Sequence, residues 1–327
     1  MFYVNIPFGL VALIISILVL PPLKPAGRRE PFDFAGGVAL GVALLAFAIA
    51  MSFGQELGFA APIVLGLLLV AIAAGVIFVV IEQRIKYPMV DLSLFREPRF
   101  SLNLFTAALI FVALSGVVLL LPFYLTYVME LPLGQVGLMM AVVPLVMIVV
   151  QPLSGALSDI WGSRQVSVLG LVLILFGYLL MSTLRVDGTE LGFVVRMLPV
   201  STGMAIFNSP NNSAIMGAAP RNRLGIASAL LSMVRSVAQV FGIAALGAFF
   251  AGRVDMYSGA AVNLDVAPPQ AIVQALHDQF ILVSLLVAIG LAVSLFTWRW
   301  EVKAGRAQKR VEPVAGSAPV ETLPFEG

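Results

Sequence analysis

Apolar runs of about twenty residues recur along almost the whole chain, separated by short stretches of Pro, Gly and charge. Crossing a hydrocarbon layer about 30 Å thick takes roughly 20 residues of helix, and no soluble core needs so many runs of that length. Composition agrees: 60% of the 327 residues are hydrophobic and 11% are charged. Lipid offers no partner for backbone N–H and C=O groups, so a spanning segment must be a helix or a strand of a closed barrel. The alternation of barrel strands is missing. The expected fold class is therefore all-α, a polytopic membrane helix bundle with nine transmembrane helices at about 3–20, 34–53, 63–81, 101–121, 136–157, 166–184, 191–216, 228–251 and 279–298. The tail from Lys303, rich in Pro, Ala, Gly and charge, is expected to be disordered.

Cations orient the bundle, because Lys and Arg concentrate in cytoplasmic loops. Lys24, Arg28 and Arg29 follow the first helix, Arg84, Lys86, Arg96 and Arg99 the third, Arg164 the fifth, and Arg221 and Arg223 the seventh. Arg299, Lys303, Arg306, Lys309 and Arg310 follow the ninth. Only Arg185 and Arg253 fall in the opposite loops, while Arg196 and Arg235 lie inside spans. The C-terminus is thus expected in the cytoplasm and Met1 outside. Nothing precedes the first apolar run to direct it across, and Pro21, Pro22 and the basic cluster follow it, the reverse of a secretory signal. The expectation is an internal helix of a longer protein; the alternative is a nine-helix protein with a reversed first span.

Several function classes drop out. With no Cys and a single His277 there is no disulfide, and no cluster for a metal or redox site, so neither metal nor cofactor is expected. The formal charge of +2 is spread over loops and tail, which gives no support to nucleic-acid binding. No nucleophile elbow, phosphate-cradling Gly loop or facing carboxylate pair is present, so an enzyme is not expected.

One charged stretch stands out in an apolar region: SGALSDIWGSRQ, residues 154–165, carries Asp159 and Arg164, with Gly155 and Gly162, in a short turn between the fifth and sixth helices. Its G-A-L-S-D-I-W-G-S-R resembles the G-x-L-x-D-x-x-G-x-R cytoplasmic loop of the major facilitator superfamily, in the copy found in the second half. Three further stretches resemble the 14-spanner drug:proton antiporter-2 branch. FYVNIPFGL, from Phe2 to Leu10, is similar to the start of its sixth helix, although the W-R-W segment that normally precedes it is absent. Residues 209–248 match its twelfth and thirteenth helices through Pro210, Ala214, Arg223, Gly225, Ala227, Ser228 and Arg235. Residues 121–159 match through Pro122, Gly137, Pro144, Pro152 and Gly155, departing at Thr126 and Glu130, where the branch more often has Gln and Gly.

The resemblance covers roughly residues 1–300 and implies a partial major facilitator fold, helices six to fourteen of fourteen, with the first five missing. Residues 1–20 would end the N-terminal half, 21–100 would be a linker region with two extra helices, 101–300 the C-terminal six-helix half and 301–327 the tail. Gly37 and Gly41 have a spacing that permits a close helix contact, or arises by chance in a Gly-rich helix. The loop residues Gly155, Asp159, Gly162 and Arg164 would form a gate that holds one access state; the alternative is a pair of solvated charges. The implied function is multidrug efflux driven by proton antiport, with a lipophilic small molecule and protons as partners, membrane lipid around it and a separate N-terminal half as a further partner. The implied location is the plasma membrane, the inner one in a bacterium. The rival is a non-transporting remnant or split subunit. In that family the coupling carboxylates lie in the N-terminal helices, and here all 17 acids are placed in loops, at helix rims or in the tail.

Polar residues within spans are costly and should face a partner or a water-filled cavity. Ser201, Asn208 and Asn212 share a helical face, with Asn211 beside them, and Pro210 withholds a backbone hydrogen bond from that helix, freeing a carbonyl for water or an Asn side chain. These residues and Arg235 are the candidates for a cavity or gate lining. Interhelical amide bonds, or a structural partner for Arg235, would also account for them. Arg196 lies close enough to its rim to snorkel. Phe111, Phe123, Tyr124 and Tyr127 would contact a lipophilic ligand or anchor the interface.

Overall fold

The computed structural model describes residues 5–19, 33–86, 88–220, 223–259 and 266–311, the side chains of Asn5, Phe8 and those beyond Trp300 excepted. The ends of the first expected helix, Lys24, Arg28, Arg29, Arg221 and residues 312–327 lie outside the described residues.

The regular structure of the described residues is helical, in ten α-helices: α1 Asn5–Val19, α2 Phe34–Leu57, α3 Pro62–Arg84, α4 Pro98–Phe123, α5 Leu133–Met140, α6 Val142–Trp161, α7 Ser163–Met181, α8 Glu190–Ala218, α9 Leu224–Ser258 and α10 Pro269–Val311. Eight stretches among the described residues are long and apolar enough to cross a membrane, and α1 is a shorter apolar helix. The all-α expectation holds, with three differences in extent. The fifth expected helix is two, broken at Ala141, because the Pro144 ring has no N–H for the Met140 carbonyl and crowds it. After Pro122, α4 widens into a π turn at Tyr124–Val128, where Met129 N–H donates to the Tyr124 carbonyl at 3.1 Å. Helix α10 continues to Val311, so the first part of the segment expected to be disordered is helical.

Lipid tails are as apolar as Leu, so burial from water cannot hold these helices together within the membrane and close packing must. Helices α7 and α8 meet backbone to backbone: a methyl group at Gly170 would stand 2.7 Å from Phe207 N, at Gly203 2.7 Å from Ile174 N and at Gly177 2.6 Å from Val200 N. Around this crossing α4, α7, α8, α9 and α10 enclose one core, with Tyr124, Ile174, Tyr178, Phe193, Phe207, Phe250 and Phe280 fully buried. A second core lies at the Arg-rich end, where Phe78 of α3 and Val90 and Leu94 of the following segment pack on Phe100, Leu104, Ile215, Ala227 and Leu231. Helices α2 and α3 form a hairpin that leans on α9. Its close approach is at Gly36, whereas Gly41 faces open space, so the Gly37/Gly41 spacing makes no tight contact at Gly41. Helix α6 is the outlier: it packs mainly on α8 and buries only Ser154 and Ser158.

Glu130 adopts φ 53°, the one non-Gly residue with positive φ among the described residues, and it stands where the resembling branch more often has Gly. The left-handed conformation costs an L-residue roughly 1–2 kcal/mol. Glu130→Gly is expected to raise thermal stability in detergent by about 1 kcal/mol. Gly203→Leu should lower it by about 1–3 kcal/mol by prising α7 from α8, while Gly217→Leu, facing open space, should leave it unchanged.

Candidate functional site

The freed carbonyl expected in α8 is present and it is claimed. Pro210 has no N–H for Ile206, and the Ile206 carbonyl accepts a hydrogen bond of 2.9 Å from Ser154 Oγ of α6. The partner is a Ser on a neighbouring helix, where water or an Asn was expected. Gly155 allows α6 to run close to α8 at this level without being forced to: a methyl group there would make ordinary contact with Ser209 Oγ at 3.6 Å.

About two turns further, α6 ends at Gly162 with φ 92° and ψ 140°, and α7 starts at the next residue. A one-residue reversal with positive φ is what Gly supplies without a Cβ penalty. Ser158 Oγ donates across the turn to Ser163 Oγ at 3.0 Å. Arg164 then turns away from the loop, and its Nη1 donates to Oδ1 of buried Asn103 on α4 at 2.6 Å. Asp159 lies exposed on the last turn of α6. The motif thus ties the N-terminus of α7 to α4 through its cation and leaves its acid on the outside. A small cavity of about 170 Å³ opens here between Arg99, Asn103, Ser163, Arg164, Ala214 and Gly217.

Residues of α8 divide. Ser201 is fully enclosed and donates to the Met197 carbonyl of its own helix at 3.0 Å, so it is not open to a cavity. Asn211 is buried, while Asn208 and Asn212 are half-buried. Arg235 of α9 lies apart from these amides: its guanidinium stacks 4.6 Å over the Phe111 ring, and its Nε is buried without a hydrogen-bond partner. Arg196 meets Thr183 Oγ1 at 3.1 Å and the Gly192 carbonyl at 2.8 Å near the opposite rim, in keeping with snorkelling. Tyr124 is buried, its OH donating to the Arg185 carbonyl at 2.8 Å, while Phe123 and Tyr127 stack half-buried at 6.1 Å.

Sequence reasoning missed a longer polar stripe on α9. Ser228, Ser232, Ser236 and Gln239 follow one another at four- and three-residue steps, with Arg235 beside Ser236, and all but the half-buried Arg235 are exposed. Small polar Ser residues did not stand out beside the cluster of three Asn in α8, but their period was there to be read. The stripe borders two open grooves. One, of about 520 Å³, lies between α4 and α9 and is lined by Leu114, Ser115, Val118, Pro122, Gln239 and Ile243. The other, of about 380 Å³, lies between α2 and α9 and includes Phe47, Ser232, Met233 and Ser236. Among the described residues no cluster of three metal-ligating side chains occurs.

Against this geometry, comparison with known proteins is decisive. The sequence profile of the Major Facilitator Superfamily matches residues 1–243. The chain belongs to the Major Facilitator Superfamily. Similar proteins include the uncharacterized transporter YebQ of Escherichia coli strain K12, 30% identical over 247 residues, which are 75% of this chain and 53% of that protein. Multidrug resistance protein Stp of Mycobacterium tuberculosis is 29% identical over 76% of this chain and 46% of its own length. Riboflavin transporter RibZ of Clostridioides difficile is 27% identical over 76% of this chain and 54% of its own. The chain spans about half the length of these superfamily relatives. Membership and eight membrane-length helices make it a multi-pass membrane protein.

The Ser154–Ile206 bond can be tested with a double-mutant cycle. Ser154→Ala is expected to cost about 0.6–1.7 kcal/mol with Pro210 present. In a Pro210→Ala background the restored backbone N–H serves the Ile206 carbonyl, and the same substitution should cost close to nothing. Equal costs in both backgrounds, measured by thermal unfolding, would show that Ser154 does not act through that carbonyl.

Proposed function

We propose that this chain supplies helices six to fourteen of a 14-helix major facilitator exporter that moves lipophilic small molecules, drug-like ones included, by proton antiport across a bacterial inner membrane. The observation that carries the reading is the exposed α9 stripe of Ser232, Ser236 and Gln239, which borders the α2–α9 groove through the two Ser and the α4–α9 groove through Gln239. Polar groups in a spanning helix are retained where they face a path or a partner, and an apolar groove with a few polar groups suits a lipophilic ligand. Relatives named for multidrug resistance and for riboflavin transport support a small organic substrate. On this reading an N-terminal half covers α6 and the α9 stripe, and Gly155, Asp159, Gly162 and Arg164 are the gate. Arg164 holds α7 to α4 through Asn103, while exposed Asp159 is free to meet the other half. The half-buried Asn208 and Asn212 of α8 are further candidates for the cavity lining, and the coupling carboxylates belong to the N-terminal helices.

Two outcomes follow. Residues 1–327, purified and reconstituted alone, are expected to show no uncoupler-sensitive efflux of a lipophilic dye; such efflux would overturn the division of labour. In the complete transporter, Asp159→Lys is expected to change thiol accessibility on the cytoplasmic side and lower efflux at unchanged expression. Unaltered accessibility with full efflux would leave Asp159 a solvated charge.

A further inference from the structure

Among the acids expected at rims, Asp33 and Glu82 turn out to be 4% and 5% exposed, at the base of the α2–α3 hairpin. Each is anchored through one oxygen. Asp33 Oδ1 accepts from Gly36 N–H at 2.8 Å as the N-cap of α2, and Glu82 Oε1 accepts from Val90 N–H at 3.1 Å. The other oxygens, Asp33 Oδ2 and Glu82 Oε2, are buried without a hydrogen-bond partner. Both side chains border the space that a side chain on Gly36 would fill: a methyl group there would overlap Asp33 Oδ2 and stand 3.3 Å from Glu82 Oε1.

We propose that Glu82 is a proton-binding site, its carboxyl held protonated beside the Asp33 carboxylate. Two ionised carboxylates out of water and side by side repel strongly, and one proton on Glu82 removes a charge while turning a stranded acceptor into a donor. Among the described residues, neighbouring cations do not relieve the repulsion. Of the charged side chains at this end among the described residues, Arg84 and Lys86 after α3, and Arg96 and Arg99 around the start of α4, are exposed. On α9, Arg223 is ion-paired with Asp91 and Arg235 lies over Phe111. Helix α2 carries no other charge before Glu56 at its far end, and α8 ends without one. A hard metal cation suits the place less well than a proton: it asks for six or more oxygens, and among the described residues no third acidic or His ligand joins the two.

The site stands at the head of a continuous connection. Glu82 holds Val90 N–H; the next residue, Asp91, pairs with Arg223 at the start of α9 and caps Ser93 N–H at 2.8 Å. Loss of the Glu82 proton leaves two negative charges at Gly36, pushes Glu82 off Val90 and loosens the segment that fixes the hairpin to α9. The site is therefore a pH-sensitive latch between hairpin and bundle, independent of what the protein transports.

Infrared difference spectroscopy of the full chain in lipid vesicles, stepped from neutral to alkaline pH, tests this together with hydrogen exchange of residues 88–93. The wild type is expected to lose one protonated-carboxyl band over that step, while exchange of the segment rises several-fold beyond the intrinsic base-catalysed rate. Glu82→Gln, which keeps an acceptor for Val90, should lack the band and show no excess exchange; Asp33→Asn should shift the transition. A wild-type spectrum without the band at neutral pH, or a band and exchange profile unaltered by Glu82→Gln, would overturn the proposal. So would a shift of either signal on adding sodium or calcium at fixed pH, which would mark a metal-cation site instead.

Discussion

A helix in hydrocarbon cannot leave a backbone carbonyl unserved, and the arrangement of this chain follows from how it meets that constraint at its prolines. Pro210 strands the Ile206 carbonyl in α8, and Ser154 reaches across from α6 to claim it. That bond sits where α6, which buries little else, meets its main neighbour. Pro144 meets the constraint by ending α5 and starting α6, and Pro122 is followed by a π turn that carries the chain to the buried Tyr124. The irregularities lie on the helices that border the open face, where a re-aimed helix changes what that face presents.

The rest of the bundle is built to stay put. At Gly170, Gly177 and Gly203 the backbones of α7 and α8 touch, and α10 packs on α4, α7 and α9. The tight packing of α7, α8 and α10 backs an open side on α6, α9 and part of α4, where Ser232, Ser236 and Gln239 lie exposed in helices otherwise rich in Leu, Val and Ala. In the proposed transporter, the open side is where an N-terminal half would close a cavity. At the Arg-rich end, Arg164–Asn103 and Arg223–Asp91 tie α7 and α9 to neighbouring segments.

Features governed by local sequence were legible in advance. Span length fixed the helices, Pro210 announced a free carbonyl, and Gly162 a reversal that other residues would resist. Features governed by which distant residue arrives were not. Arg164 is five residues from Asp159, yet its partner is Asn103, 61 residues away, because the turn points it back across α4. Asp33 and Glu82 read as rim charges, since nothing in the intervening apolar helices says that the hairpin will bring them to the same glycine. Ser201 shares a helical face with Asn208 and Asn212 but is sealed within the packing, a difference set by neighbours rather than by spacing.

The central claim is that the α9 stripe faces a watery path while α10 faces lipid, and the absence of cysteine makes it directly measurable. Single cysteines at Ser236, Gln239 and, for comparison, the exposed Phe296 of α10 would be reacted with a membrane-impermeant maleimide in membranes containing the complete transporter. The account predicts that the two α9 positions label many times faster than Phe296, and that a lipophilic substrate slows them. Labelling at 236 and 239 as slow as at 296, with or without substrate, would contradict it.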